Sequence, residues 1–462
     1  MSRHQNLQRL GTEAWDVLII GGGINGAGVA RDLAMRSAHI PGGLRIALVE
    51  KRYFSSGTSG RNSQLIHGGL RYLKYGDFGL VKEALHERAT LLNIAPSLVR
   101  PLEFLIPCYG RYDKLFYGAG LTLYDALAGS RGITPHRTIS SDQATKLEPG
   151  MDSNGLRGGV LFHDAAVHSA RLVLENLLDA EARGVCLANY TEVHRTATGL
   201  EARDVLTGNT FPIRARRIID ATGSWSQAAP LRLVRGSHLI FPRIQQGTEA
   251  IAHFDEAGRI VFLIPWGEND DLTLVGTTDV DHQAGADQVA ISAAETDYLR
   301  SIVRRLYPDF REDPITSYSS LRPLIVQSGR SATSTSREHK IWQSTDGLLH
   351  IAGGKYTTYR AMSEEAADAL MPDLAPGRTI PSETATTPLP IPALATTTGA
   401  RVRVAVEREH ACCLPDLLYT STYWGHERKL AADWLTPLAQ QMADLLGHNQ
   451  AWIDQQLRAL GV

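Results

Sequence analysis

One run near the start of the chain restricts its fold more than any other feature. Residues 16–20 (DVLII) form a short apolar strand, followed at once by GGGINGAG, in which Gly21, Gly23 and Gly26 give G-x-G-x-x-G spacing. Residues 29–35 (VARDLAM) read as a helix, and residues 44–49 (LRIALV) as a second apolar strand ending at Glu50. Strand, glycine turn, helix, strand and terminal acid in this order describe a βαβ unit that binds a dinucleotide. In such a unit the pyrophosphate rests on the helix N-terminus, where free N–H groups point at it. Glu50 is then placed to accept from the adenosine ribose hydroxyls. It lies farther from the glycines than the usual spacing of roughly 20 residues, and the surplus falls in AHIPGG, a loop between helix and strand. The unit alone leaves NAD and FAD both open.

Composition narrows the function classes. The chain has 462 residues, 43% hydrophobic and 21% charged, with a formal net charge of -2. That length accommodates two or three domains, and the charge gives no basic excess of the kind nucleic-acid binding needs. Cys108, Cys186, Cys412 and Cys413 show no C-x-x-C spacing, so a reducing compartment and no metal site are expected. The polar start, MSRHQNLQRLGTEAW, lacks the apolar core of a secretory signal. No run approaches the roughly 20 apolar residues that span a bilayer. The expectation is a cytoplasmic protein, with peripheral attachment to the inner face of the cell membrane left open.

Later segments return to the first sheet. Residues 216–220 (RRIID) lead into Ala221-Thr222-Gly223, and residues 349–352 (LHIA) lead into Gly353-Gly354-Lys355 and a helix over 361–370. A sheet built from distant segments implies an inserted second domain. The division expected is 14–75, 150–230 and 345–375 for the nucleotide domain, with 76–149 and 231–344 for the inserted one. Strands rich in β-branched and aromatic residues are expected at 160–163, 238–242, 259–265 and 272–277, and a helix over 166–182. The Pro/Thr-rich stretch 381–398, with PLPIP, reads as an extended tether. Beyond it, 399–462 reads as a small helical domain, with helices over 401–409, 429–446 and 451–460.

The run Ile66-His67-Gly68-Gly69-Leu70-Arg71-Tyr72 places two glycines between a histidine and an arginine–tyrosine pair. Glycines permit close backbone approach to a ligand, and arginine offers a planar fork of donors for carboxylate or phosphate. By itself the run is equally a surface turn with a solvated arginine. His238 by itself is a strand-edge histidine, and Arg322 before Pro323 an ordinary loop arginine.

GGGINGAG, LIHGGLRYL, ATGSW, RGSHLIFPR, FLIPW, GTTDV, SLRPL and GGKYTTYR occur in this order. Together they resemble the FAD-dependent, quinone-linked glycerol-3-phosphate dehydrogenases over residues 14 to about 365. The resemblance implies a Rossmann-like FAD-binding domain with an inserted mixed-sheet substrate domain (α/β with α+β, the D-amino-acid-oxidase-like flavoenzyme fold) and a shortened helical C-terminal domain. It implies oxidation of sn-glycerol 3-phosphate to dihydroxyacetone phosphate, with hydride passing from C2 to flavin N5 and electrons onward to a quinone. It places Arg71, Tyr72, Arg337 and Thr277 at the substrate, and His238, Arg322 and Lys355 at the chemistry, with His238 as the leading base. FAD contacts are implied for Gly21, Gly23, Gly26, Glu50, Ser59, His67, Gly68, Gly223, Gly353, Gly354 and Thr357.

The chemistry asks for such a set. A phosphomonoester carries about -1.5 to -2 charges near neutral pH, so two or more cations must meet it, and histidine is the natural base there. The alternatives are an oxygen-using oxidase, a relative acting on another 2-hydroxy acid or an amine, and a non-catalytic flavin-binding relative. Peripheral membrane contact is expected for quinone use, and homo-oligomerisation is left open. Two departures from the family pattern stand out: Arg61 and Gln64 before LIHGG, and the tail, where LPDLLY (414–419) runs into TSTYW.

Overall fold

The computed structural model describes residues 3–197, 199–228, 231–326, 338–393 and 395–462. Two sheets lie at its centre. The first runs in the order His339–Gln343, Leu348–Gly353, Thr210–Asp220, Ala14–Ile20, Ile46–Val49, Cys186–Ala188. Its strands are parallel from Leu348–Gly353 to Cys186–Ala188, with His339–Gln343 antiparallel at the edge. Parallel strands are covered on both faces, which is why IALV at 46–49 is apolar throughout and wholly buried. Helices Ile24–Ser37, Ser169–Ala182 and Tyr359–Leu374 pack around one core there, and helix Arg3–Thr12 contributes Leu10 to another.

Among the described residues the second sheet has ten strands. Its path runs Val280–Asp281, Leu231–Pro242, Leu272–Gly276, Ile260–Trp266, Ala250–Phe254, Val99–Pro107, Gly159–Val167, Leu65–Ile66. Thr316–Ile325 pairs with Leu231–Pro242, and Arg137–Ile139 with Gly159–Val167. Helix Ala293–Leu306 packs into one of its cores through Leu299, Ile302, Val303 and Leu306. Helices Phe78–Ile94 and Asp113–Ala128 pack into the other.

Three segments differ from expectation. The strand expected at 160–163 is the middle of Gly159–Val167 and lies in the second sheet, as a strand of the inserted domain would, so it is the boundary giving 150–230 to the nucleotide domain that differs. His339–Gln343, within 231–344, joins the first sheet. The helix expected from 166 begins at Ser169, because Ala165 and Ala166 pair with Ile66 and Leu65 and strand pairing overrides their helix propensity. His168 caps that helix, Nδ1 accepting from Arg171 N–H.

The stretch 381–398 is not a free tether. Leu389 and Thr384 are buried, and Leu389 N–H donates to the Ile94 carbonyl. The buried guanidiniums of Arg31 and Arg36 donate to the carbonyls of Thr387 and Ile380. An irregular proline-rich segment lacks the N–H groups to pair all its carbonyls, so some are left as the acceptors that buried arginines require. The tail helices Thr398–Arg408, Ala432–Leu446 and Gln450–Ala459 build their own core around Val402, Leu435 and Met442.

Candidate active site

The carboxyl ends of three neighbouring parallel strands deliver the glycine turns. Ile20 pairs with Asp220, and Asp220 with His350, so the turns at Gly21, Gly223 and Gly353 open on one edge of the sheet. Ligands of open α/β sheets bind at this edge. A Cβ at Gly21 would lie 2.5 Å from the Ala221 carbonyl oxygen, and one at Gly26 only 1.9 Å from that of Gly21. Bare backbone is therefore required, and it leaves helix Ile24–Ser37 end-on to the turn. Ser59 Oγ accepts from Ile24 N–H at 2.9 Å and stands beside Gly23. Glu50 accepts from the backbone N–H of Gly22 (2.8 Å) and Arg52 (2.9 Å), and burial raises its pKa despite these donors. A helix N-terminus, a hydroxyl and a carboxylate in this arrangement fit the pyrophosphate and ribose of a dinucleotide.

A cavity of about 180 Å³ lies between the two sheets. Its wall brings together residues distant in sequence: His67, Arg71, Tyr72, His238, Thr277, Arg322, Gly354 and Lys355. Gly69 adopts φ 84° and turns the chain into the short helical segment Leu70–Tyr75, which carries Arg71 and Tyr72. Arg71 Nη1 donates to Asp279 Oδ2 at 2.9 Å, and Arg322 Nη1 to Asp279 Oδ1 at 2.7 Å. Arg322 Nη2 reaches Thr277 Oγ1 at 2.7 Å. Lys355 Nζ lies 4.2 Å from the Tyr72 ring centroid and donates to the Gly68 carbonyl at 3.2 Å. Burial alone would lower the Arg71 pKa, but Tyr72 and Asp279 hold it above its ordinary value.

His238 sits on the same wall and is 1% exposed. Its Nε2 lies 2.9 Å from Ser63 Oγ, while Nδ1 is buried without a hydrogen-bond partner among the described residues. Burial, and secondarily the Arg322 charge, pull its pKa down to about 3, so the ring is neutral near pH 7. Thr357 Oγ1 accepts from His67 N–H and donates to the His67 carbonyl, clipping that turn to the Gly353–Gly354 turn.

The chain is similar to known proteins in sequence and in fold. The model of the FAD dependent oxidoreductase family matches residues 16–368. A glycerol-3-phosphate dehydrogenase of Synechocystis is 36% identical over 429 residues, 84% of this chain and 75% of that one. The chain belongs to the FAD dependent oxidoreductases, in the glycerol-3-phosphate dehydrogenase family. Glycerol-3-phosphate dehydrogenase 2 of Mycobacterium tuberculosis is 36% identical over 397 residues, covering 82% of this chain and 66% of that protein. The chain thus spans about two thirds of the length of that relative. The glycerol-3-phosphate dehydrogenase of Bacillus halodurans, solved with FAD, has the same fold, with a TM-score of 0.77 at 23% identity over 99% of this chain and 96% of that one. A glycine oxidase of Geobacillus kaustophilus follows at a TM-score of 0.60 and 20% identity, over 83% of this chain and 100% of that one.

FAD is the cofactor of this family, and the glycine cradle described above accommodates its diphosphate. Gly21, Gly23, Gly26, Glu50 and Ser59 lie at that cradle, whereas His67 and Gly354 line the cavity. Gly68 is packed against Tyr124 and Leu85. Arg337 lies outside the described residues. Sequence reasoning passed over several supports of this dehydrogenase-family site. Asp164 accepts from Arg88 (2.5 Å), Tyr124 OH (2.8 Å) and Gly68 N–H (3.3 Å), which anchors the Gly68–Gly69 turn from behind. Ser63 touches the pocket histidine. Asp279, which the family resemblance of GTTDV places at a turn beside the pocket, has no role assigned from sequence, although it holds both arginines. Nothing in the sequence pairs an aspartate at 279 with arginines 208 and 43 residues away.

Proposed function

We propose that this chain oxidises sn-glycerol 3-phosphate to dihydroxyacetone phosphate and passes the electrons to a quinone. The observation that carries the reading is one cavity lined by Arg71, Arg322 and Lys355 together with a buried, neutral His238. The two guanidiniums and the ammonium receive the phosphate, with forked geometry from the arginines and a compact charge from the lysine. That contact fixes C2 of the substrate within the cavity and excludes water from it. His238 Nε2 takes the C2 hydroxyl proton, the substrate hydroxyl replacing Ser63 Oγ as the partner of that nitrogen. Bound FAD supplies the two-electron acceptor for the C2 hydride. A dianion beside Arg322 offsets the charge that depresses the histidine, so substrate binding makes His238 a better base.

A surface feature supports a lipid-soluble acceptor. Helix Asp113–Ala128 buries Leu121, Tyr124 and Ala128, yet leaves Leu115 and Phe116 exposed at 73% and 68%, next to Tyr112 at 67%. Arg111 and Lys114 flank these side chains. Apolar and aromatic residues with basic neighbours suit a helix lying on an anionic membrane surface. Among the described residues no helix is long and apolar enough to cross a membrane. The same helix borders the cavity, since Tyr117 stacks at 4.8 Å on the cavity residue Phe254.

Steady-state turnover with glycerol 3-phosphate tests this reading. Dihydroxyacetone phosphate should form in step with reduction of an added quinone under nitrogen, and little hydrogen peroxide should form in air. Rapid peroxide production in air without quinone would move the assignment to an oxidase.

A further inference from the structure

We propose that Asp279 is a positioning residue that fixes the spacing and the net charge of the phosphate-receiving arginines. This rests on the reading of the site as a phosphomonoester pocket. The two oxygens of Asp279 are shared out, one to Arg71 and one to Arg322, at 2.9 and 2.7 Å. Its side chain is 3% exposed and the arginines 15%, so the carboxylate lies beneath and the guanidiniums face the cavity. Two guanidiniums lining one small cavity repel each other, and a shared carboxylate holds them in one arrangement.

The turn that presents Asp279 is itself tied down. Thr278 Oγ1 donates to Glu295 Oε1 at 2.7 Å and accepts from Ser237 N–H at 3.0 Å. Glu295 is held by Arg235 and closes the capping box of its own helix with Ser292. Asp279 therefore sits on an anchored turn between two sheet strands and has little freedom to follow the arginines. The arginines are positioned by it. Among the described residues, Arg71, Arg322 and Lys355 against Asp279, with the lining Asp164 balanced by Arg88 at 2.5 Å, leave two net positive charges, which match the dianionic form of a phosphomonoester.

Chemical rescue tests the assignment. The variant Asp279→Ala opens a carboxylate-sized space between the two guanidiniums. Its kcat with glycerol 3-phosphate should fall about 100-fold, the scale of a misplaced reactive group, while the flavin content stays that of the wild type. Added formate should enter the gap and restore kcat about tenfold by re-forming the charge-assisted bonds. Chloride at equal ionic strength should not, and formate should inhibit the wild type. Should the alanine variant fail to fold, the isosteric Asp279→Asn keeps the volume and should show the same loss of kcat with flavin retained. Unchanged kcat in a flavin-loaded variant, or loss of kcat equally relieved by chloride, would overturn the proposal while leaving the phosphomonoester reading intact. A wild type whose flavin is not reduced by glycerol 3-phosphate would overturn that reading and this proposal with it.

Discussion

The Tyr423 hydroxyl donates to Gln64 Oε1 at 2.5 Å, and the same oxygen accepts from Ser169 N–H at 3.0 Å. Gln64 closes the loop that carries Ser59 and Ser63, and Tyr423 belongs to the tail. Two segments 359 residues apart in the chain therefore touch. The tail grips this loop at further points: Thr420 Oγ1 donates to the Phe54 carbonyl at 2.7 Å, and Tyr419 stacks on Tyr53 at 5.9 Å. It is a brace behind the cofactor loop.

Removing the hydroxyl tests the brace. Tyr423→Phe deletes the bond to Gln64 and the acceptor used by Ala170 N–H at 3.0 Å, both buried. Unmet buried polar groups cost about 1–3 kcal/mol. Urea unfolding should show a loss of about 2 kcal/mol, and FAD should dissociate faster. An unchanged FAD off-rate would make the tail an independent appendage.

Acid lability follows from three buried histidines. His168, His238 and His426 each have their pKa lowered to about 3, in each case by burial first and then by an arginine. Below pH 6.5 the unfolded chain takes up protons that the folded chain refuses, so stability falls as pH drops from 6.5 towards 3. Each histidine adds about 1.4 kcal/mol per pH unit to that slope. His168→Asn retains a side-chain acceptor for Arg171 N–H and removes one titrating group. Its stability should fall less steeply between pH 6 and 4 by that amount, as measured by denaturant unfolding at several pH values.

Arg71 is exposed to a direct kinetic test. Arg71→Ala removes one charge-assisted contact to the phosphate and leaves the glycine cradle untouched. KM for glycerol 3-phosphate should rise about 100-fold, the size of one to two such bonds, with flavin content unchanged. A wild-type KM would place the phosphate elsewhere.

The proposed membrane contact is equally open to trial. Leu115→Ser with Phe116→Ser removes two exposed apolar side chains. Sedimentation with anionic phospholipid vesicles should drop severalfold, while turnover with a water-soluble quinone stays unchanged. Equal sedimentation of variant and wild type would contradict membrane contact through this helix.

The parts legible in sequence were those set by local rules. The glycine turn, its helix and Glu50 follow from backbone sterics within 35 residues, and the strand at 272–276 from its β-branched run. The rest depends on long-range contact. Ala165 and Ala166 are strand because residues 65 and 66 lie alongside. Leu389 is buried because it packs into the core of the first sheet and its N–H meets the Ile94 carbonyl, far away in sequence. Asp279 and Asp164 are ordinary acids until the second sheet sets them under Arg322 and Gly68.

Anaerobic reduction of the bound flavin tests the central claim most directly. The purified holoprotein, free of oxygen and of any other acceptor, is mixed with sn-glycerol 3-phosphate while absorbance of the oxidised flavin is followed. Rapid bleaching, with dihydroxyacetone phosphate formed at one equivalent per flavin, is the result predicted. A flavin that stays oxidised with this substrate would contradict the account.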